Sequence, residues 1–140
     1  MARVLIVDDE PATVGFLVDR LEAGGHNVTT LTSESQFNSL SASEIAAYHL
    51  LVLDIKVGFI RRSADEVIPS GQSAGVRMAR RVRVDFRVPR RQVRIVAYSV
   101  VARAEVMNAV RSLNCEYVVK GSSGGQAIID VVDRMLRHAK

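Results

Sequence analysis

Hydrophobic residues form five short runs of strand type, separated by segments in which apolar residues recur at helical spacing. The central run, within His49–Asp54, places four aliphatic residues in succession and stops on a carboxylate. An apolar run without alternation predicts a strand buried on both faces, as in the middle of a parallel sheet covered by helices. Asp54 is therefore expected at the carboxyl end of a central strand, where open α/β sheets bind their ligands.

The other segments predict a regular alternation of strands and helices. The remaining predicted strands are Arg3–Val7, Asn27–Leu31, Val93–Ser99 and Glu116–Val119. The first predicted helix begins at Pro11 and stops at Gly24, and the second extends from Ser33 to about Ala47, where Ser41–Ser43 could interrupt it. The third begins near Ser73. The fourth covers Val106–Leu113, and the fifth extends from Ser122 or Ser123 through Leu136. Five strands alternating with five helices predict a parallel sheet with right-handed crossovers and helices on both faces.

One segment does not follow this alternation of strands and helices. Lys56–Ser73 contains Gly58, Pro69 and Gly71 and shows no convincing period. Loops longer than about 12 to 15 residues are usually functional or mobile. We predict an extended loop at about 56–73, between the third strand and the third helix.

Length and composition predict one soluble domain over residues 1–140, and we expect no output domain. The first residues place acids too early for a signal peptide, and no stretch approaches the roughly 18 apolar residues that span a bilayer. We therefore predict a cytoplasmic protein that does not enter the membrane. Cys115 is the only cysteine, which excludes an internal disulfide and a cysteine-based metal cluster. It is expected to be a small core residue.

The net charge of +4 is unevenly distributed. The segment Arg77–Arg94 contains eight arginines and one acid, Asp85. Helical spacing predicts that Val76, Ala79 and Val82 face inward from the third helix and its arginines outward. Such a cluster suits the solvated face of this helix or a docking surface for an acidic protein. Nucleic-acid binding is disfavoured, because the cluster has a single aromatic, Phe86, and no base-reading motif.

Polar residues follow four of the predicted strands and should meet at one edge of the sheet. They are Asp8, Asp9, Asp54, Ser99 and Lys120. Crowded carboxylates repel one another unless a cation joins them. Oxygen ligands suit Mg²⁺, or Mn²⁺ in its place, and Mg²⁺ commonly accepts a phosphate oxygen. The edge is therefore predicted to bind a phosphoryl group.

With these residues in place, the sequence resembles the receiver domains of two-component response regulators, of the stand-alone chemotaxis-regulator type. The resemblance rests on four segments at strand ends: Val4–Pro11, Tyr48–Asp54, Ala97–Ser99 and Tyr117–Lys120. It implies a flavodoxin-like doubly wound sheet of five parallel strands in the order 2-1-3-4-5, with five helices in three α/β/α layers. It also implies a signalling protein that at most catalyses its own phosphorylation and dephosphorylation.

The resemblance assigns roles to the metal-binding and acceptor residues. Asp54 would accept a phosphoryl group from a sensor histidine kinase or a phosphotransfer protein. Asp9 would bind Mg²⁺ directly, Asp8 mainly through water, and the backbone carbonyl of Lys56 would complete the protein ligands. Lys120 would pair with the phosphoryl oxygens.

The resemblance also implies a conformational switch. Ser99 would hydrogen-bond the new phosphoryl group, and Tyr117 would swing inward in response. Phosphorylation would then bias the surface formed by the fourth helix, the fifth strand and the fifth helix, which would contact a downstream effector or a second copy of the chain.

Other interpretations compete with these assignments. Asp8 and Asp9 could be an acidic helix start favoured by the macrodipole, and Tyr117 could be a plain core residue. The chain could also be a receiver-like binding module that works unphosphorylated, through the loop at 56–73 or the Arg77–Arg94 face. A third alternative is a Mg²⁺-dependent phosphohydrolase that uses the same acids.

Four features depart from the family pattern. The loop at 56–73 is longer than its counterpart, and Lys56 adds a charge beside the acceptor. Val100 replaces a small residue, which could narrow access to the site. Gly121 replaces a proline normally held by a cis bond, so the backbone after Lys120 should differ from that of the family.

Overall fold

The protein is described by a computed structural model that covers residues 1–55, 73–101, 103–121 and 125–137. Five strands form one sheet in which every neighbouring pair is parallel, in the order β2-β1-β3-β4-β5. The strands are β1 (Arg3–Val7), β2 (Asn27–Leu31), β3 (Leu50–Leu53), β4 (Arg94–Ser99) and β5 (Glu116–Val119). The predicted topology is confirmed, and each strand begins within one residue of its predicted start.

Six α-helices occur in the described part of the chain. They are α1 (Gly15–Ala23), α2 (Glu34–Asn38), α3 (Ala42–Ala46), α4 (Ala74–Arg80), α5 (Ala104–Arg111) and α6 (Gln126–Arg137). A 3₁₀ turn, Pro11–Val14, precedes α1, and a π-helical turn, Arg81–Asp85, continues α4. The fourth and fifth predicted helices correspond to α5 and α6.

The prediction of five helices was short by one, because the segment from Ser33 to Ala47 folds as two helices. The Ser33 hydroxyl accepts a hydrogen bond from the Gln36 amide and begins α2. Ser41 then forms a reciprocal capping box with Glu44 and begins α3. A second complete N-cap inside the segment favours a new helix over a continued one.

The sheet lies between two hydrophobic layers. Leu5, Leu51 and Ile95 point to the face covered by α2 to α5, whereas Val4, Val52 and Val96 point to the face covered by α1 and α6. All four residues of β3 are buried, as expected for a strand covered on both faces. The three-layer α/β/α arrangement is confirmed.

The strand register brings the polar strand ends to one edge. Val7 pairs with Leu53, and Leu53 pairs with Ala97. The ladder continues one residue further, because the Asp54 amide donates to the Val7 carbonyl at 3.0 Å and the Lys120 amide donates to the Ser99 carbonyl at 2.8 Å. Asp8, Asp54, Ser99 and Lys120 therefore occupy neighbouring positions at the carboxyl edge.

The predicted loop falls almost wholly outside the described residues, which resume at Ser73. Among the helices that are described, none has the length and apolar content needed to cross a bilayer.

Candidate functional site at the carboxyl edge of the sheet

Three carboxylates meet where β1 and β3 end. Asp8, Asp9 and Asp54 each place a carboxylate oxygen within 4.8 Å of the oxygens of the other two. Asp8 and Asp54 are buried, with 3% and 7% of their surfaces exposed, whereas Asp9 faces solvent. Two buried acids side by side require a compensating positive charge.

Lys120 supplies that charge from the end of β5. Its Nζ lies 2.6 Å from Asp8 Oδ2 and 3.4 Å from Asp54 Oδ2. Burial of the ammonium lowers its pKa, but the hydrogen bond to Asp8 and the charges of Asp54 and Asp8 outweigh burial, so the pKa of Lys120 is raised. The lysine therefore stays charged, and it bridges the two buried acids.

Two further residues surround this ammonium and were not predicted. The Thr13 hydroxyl accepts from Lys120 Nζ at 3.2 Å, and the Tyr98 ring centroid lies 5.4 Å from the same nitrogen. Burial raises the pKa of the Tyr98 phenol. Thr13 is 107 residues from Lys120 in sequence, so only the folded structure reveals the contact. For Tyr98 a signal existed, because it directly precedes Ser99 on a predicted strand.

The donor set fits a hard divalent cation. It consists of carboxylate oxygens at close spacing, with one member open to solvent, and Mg²⁺ prefers such ligands while keeping several waters. Asp8 and Asp9 would hold the cation together with Asp54. The expected fourth ligand, the Lys56 carbonyl, lies outside the described residues.

Ser99 and Tyr117 lie next to the cluster, on the face of the sheet covered by α4 and α5. Ser99 is fully buried, and its Oγ accepts from the Val101 amide at 3.3 Å. The Tyr117 hydroxyl donates to the Val101 carbonyl at 2.7 Å, and burial raises its pKa to about 12. Both side chains thus contact the backbone of the same residue in the segment between β4 and α5.

Gly75 fixes the backbone behind Asp54. A Cβ at this position would lie 2.7 Å from the Ile55 Cα and 2.9 Å from the Asp54 carbonyl oxygen, closer than packed atoms approach. The Gly75 amide donates to the Ile55 carbonyl at 3.1 Å. The first turn of α4 can therefore approach the end of β3 only because residue 75 has no side chain.

Two of the departures from the family pattern have a visible structural result. Gly121 has a φ of +84°, which proline cannot adopt because its ring fixes φ near −65°. The backbone after Lys120 thus follows a path that requires glycine. Val100 is 55% exposed. Its side chain therefore lies at the surface beside Ser99.

The Arg77–Arg94 segment is not uniformly a solvated face, contrary to expectation. Arg83 donates to the carbonyls of Leu113, Val88, Val93 and Asn114 at 2.8 to 3.2 Å. Burial lowers the pKa of its guanidinium. A sequence-based assignment to the exposed face was wrong for Arg83, because its long side chain, in the π-helical turn that follows α4, reaches the loops before β4 and β5.

Two other groups in this region have roles within the domain. Arg77 forms a two-pronged ion pair with Glu34 of α2, with Nε–Oε2 and NH2–Oε1 distances of 2.8 and 2.7 Å. Cys115 is buried next to Arg83, and burial raises its pKa to about 11, so the thiol stays protonated as expected of a core residue.

Solved structures with the same fold are receiver domains, although no protein-family model and no curated protein matches the sequence. The receiver domain of HemR from Leptospira biflexa has a TM-score of 0.74 at 18% identity, over 97% of this chain and 94% of that one. A CheY-like receiver domain protein from Methanospirillum hungatei has a TM-score of 0.71 at 15% identity, over 99% of this chain and 96% of that one.

A third structure bears on the metal. TrrA from Thermotoga maritima, solved as a response regulator in complex with Mg²⁺ and beryllofluoride, has a TM-score of 0.63 at 24% identity, over 96% of this chain and 99% of that one. At these identities the likeness establishes the fold. The chain therefore has the flavodoxin-like fold of response regulator receiver domains.

Proposed function

We propose that this chain, which folds as a receiver domain, accepts a phosphoryl group on Asp54 in a Mg²⁺-dependent reaction and passes the signal to another protein by contact. The observation that carries the proposal is the arrangement of Asp54, Asp8 and Lys120, with the ammonium 2.6 Å from one buried acid and 3.4 Å from the other. The alternative of an acidic helix start accounts for neither Asp54 nor Lys120.

In the proposed reaction, a carboxylate oxygen of Asp54 attacks the phosphorus of a phosphohistidine on a histidine kinase or phosphotransfer protein. The new O–P bond forms an acyl phosphate, while the N–P bond breaks and its electron pair returns to the imidazole nitrogen. Such transfers depend mainly on positioning and electrostatic stabilisation. Lys120 lies close enough to Asp54 to balance negative charge on the transferred group.

A divalent cation bound by Asp8, Asp9 and Asp54 would supply further positive charge to the phosphoryl oxygens. The residues of the chain set the geometry. Asp54 is held by the hydrogen bond from its amide to β1 and by the close approach of Gly75. Its burial excludes most water from the acceptor carboxylate.

Ser99 and Tyr117 are proposed to change their contacts when Asp54 is phosphorylated. Both contact the backbone of Val101, which connects β4 to α5. A phosphoryl group that recruited the Ser99 hydroxyl would break its contact with the Val101 amide and alter the segment that Tyr117 also binds. The proposed readout surface is α5, β5 and α6, which would contact an effector or a second copy of the chain.

The experiment is phosphorylation with a small donor. Wild-type protein incubated with acetyl phosphate and Mg²⁺ should gain one phosphoryl group by intact mass spectrometry, and Asp54→Asn should gain none. Omitting the cation or adding a chelator should also prevent the gain. A wild-type protein that remains unmodified with acetyl phosphate and with phosphoramidate would overturn the proposal.

The binding module that works unphosphorylated predicts a different result. Once a partner is known, its affinity would be the same for wild type and Asp54→Asn, and would fall when Arg80, Arg81, Arg90 and Arg91 are replaced. The phosphohydrolase alternative instead predicts steady multiple turnover of small phosphomonoesters.

A further inference from the structure

The hydrogen-bonding capacity of the Lys120 ammonium is fully used in this structure. An ammonium carries three protons, and Lys120 Nζ has three acceptors: Asp8 Oδ2 at 2.6 Å, Thr13 Oγ1 at 3.2 Å and Asp54 Oδ2 at 3.4 Å. The Tyr98 ring lies against the same group. The ammonium is therefore held closer to Asp8 than to Asp54.

Thr13 can act only as an acceptor toward this lysine. Its hydroxyl has a single proton, and its shortest contact is 2.8 Å to the Glu10 carbonyl, which can only accept. The proton therefore goes to Glu10, and the lone pairs of the oxygen face Lys120. The hydrogen bond from Thr13 Oγ1 to Asp8 Oδ2, at 3.4 Å, competes for the same proton and is the weaker of the two. Thr13 thus links Lys120 to the backbone at the start of the 3₁₀ turn.

We propose that Thr13 is a positioning residue, which holds the Lys120 ammonium at Asp8 when Asp54 is unmodified and opposes cation binding there. The proposal deepens the function proposed above and rests on it. An ammonium 2.6 Å from Asp8 neutralises a carboxylate that a divalent cation would share. Loosening the lysine therefore makes Asp8 easier for the cation to engage, and the coupling is reciprocal.

The variants separate the hydroxyl from the shape of the side chain. Thr13→Val keeps the branched shape and removes the acceptor, whereas Thr13→Ser keeps the acceptor. Thr13 is exposed, so neither variant removes a core contact. Mn²⁺ affinity, measured without a phosphodonor by electron paramagnetic resonance of the free ion, should rise roughly threefold to tenfold in Thr13→Val, the effect of losing one hydrogen bond of ordinary strength, as expected for a contact 3.2 Å long. Thr13→Ser should match the wild type.

Two measurements connect the effect to Lys120. In the background of Lys120→Met, Thr13→Val should change Mn²⁺ affinity by less than about twofold, because residues that act through one contact are not additive. In ¹⁵N NMR of the metal-free protein, the Lys120 ammonium protons should exchange with water faster in Thr13→Val than in wild type or Thr13→Ser.

The outcomes also separate this proposal from the function on which it rests. Unchanged Mn²⁺ affinity and unchanged ammonium exchange in Thr13→Val would overturn the role of Thr13, and so would a weaker affinity or a Thr13→Ser variant that behaves like Thr13→Val. Acetyl phosphate should still modify Thr13→Val at Asp54. If wild type and variant both remain unmodified while the Thr13 effects appear, the phosphoacceptor function fails and the positioning role stands.

Discussion

The ammonium of Lys120 lies 2.6 Å from Asp8 and 3.4 Å from Asp54, so one lysine at the end of β5 joins the ends of β1 and β3. Only 13% of the lysine side chain is exposed, and the two acids are more deeply buried still. These two buried ion pairs, which share Lys120, therefore differ from the surface ion pairs of this domain, in which solvent and salt screen both partners.

Replacing Lys120 by Met should lower the free energy of unfolding by about 3 kcal/mol in the absence of divalent cations, because two buried carboxylates then face each other without compensation. Urea unfolding measures this loss of free energy. Added Mg²⁺ should restore more stability to the variant than it adds to the wild type. The matched control is Arg20→Met, which breaks the exposed pair with Asp133 and should have little effect. Equal losses in the two variants would contradict the compensating role of Lys120.

Tyr117 should make stability fall at alkaline pH. Its pKa rises from an ordinary value of about 10 to about 12 in the folded protein, because burial disfavours the phenolate. The unfolded chain therefore loses this proton first. The contribution of the protonated Tyr117 to the free energy of unfolding is complete below about pH 10 and is lost as the pH rises toward about 12.

The measurement compares the wild type with Tyr117→Phe at about pH 9 and about pH 11. The free energy of unfolding should fall by about 1 kcal/mol more in the wild type over this interval. Cys115, whose pKa is also raised, is present in both proteins and its contribution cancels. Parallel pH profiles would show that the Tyr117 hydroxyl is not protected in the folded state.

Gly75→Ala should lower the free energy of unfolding and disturb the position of the acceptor, Asp54. The added methyl group would lie 2.7 Å from the Ile55 Cα, so the backbone around Asp54 must move. We expect a loss of about 1 to 3 kcal/mol and slower phosphorylation by acetyl phosphate. Gly15→Ala is the control, since a Cβ there meets no atom within 4 Å and alanine favours the helix. Normal phosphorylation of a folded Gly75→Ala variant would contradict the positioning argument.

Arg83→Lys tests whether this arginine is structural. An ammonium cannot reproduce the fork of N–H groups that reaches four carbonyls, so we expect a loss of about 2 kcal/mol although the charge is kept. The exposed Arg90, changed in the same way, should leave thermal and urea unfolding unchanged. An Arg83→Lys variant with the same free energy of unfolding as the wild type would contradict this structural role and would favour the solvated position predicted from the sequence.

The sheet could be predicted because its signals are local. The unbroken apolar run of β3 and the short runs of the other strands each indicate burial without reference to the rest of the chain. The same is true of Asp8, Asp54, Ser99 and Lys120, since each directly follows or ends a predicted strand. The one error in helix number also had a local signal, the cap residues at Ser41 and Glu44.

What the sequence could not indicate depends on contacts between distant segments. Thr13 meets Lys120 across 107 residues, and Arg83 reaches carbonyls up to 31 residues away. Helical periodicity placed Arg83 outward, but the turn Arg81–Asp85 is π-helical, and the long Arg83 side chain reaches the carbonyls of the loops before β4 and β5.

The most direct test of the central claim is to locate the phosphoryl group. Protein treated with acetyl phosphate and Mg²⁺ is reduced with borohydride, which converts an aspartyl phosphate to homoserine, and then digested for tandem mass spectrometry. Homoserine is expected at position 54, dependent on the cation and absent from Asp54→Asn. Homoserine at Asp8 or Asp9 in its place, or at none of the three positions, would contradict this expectation.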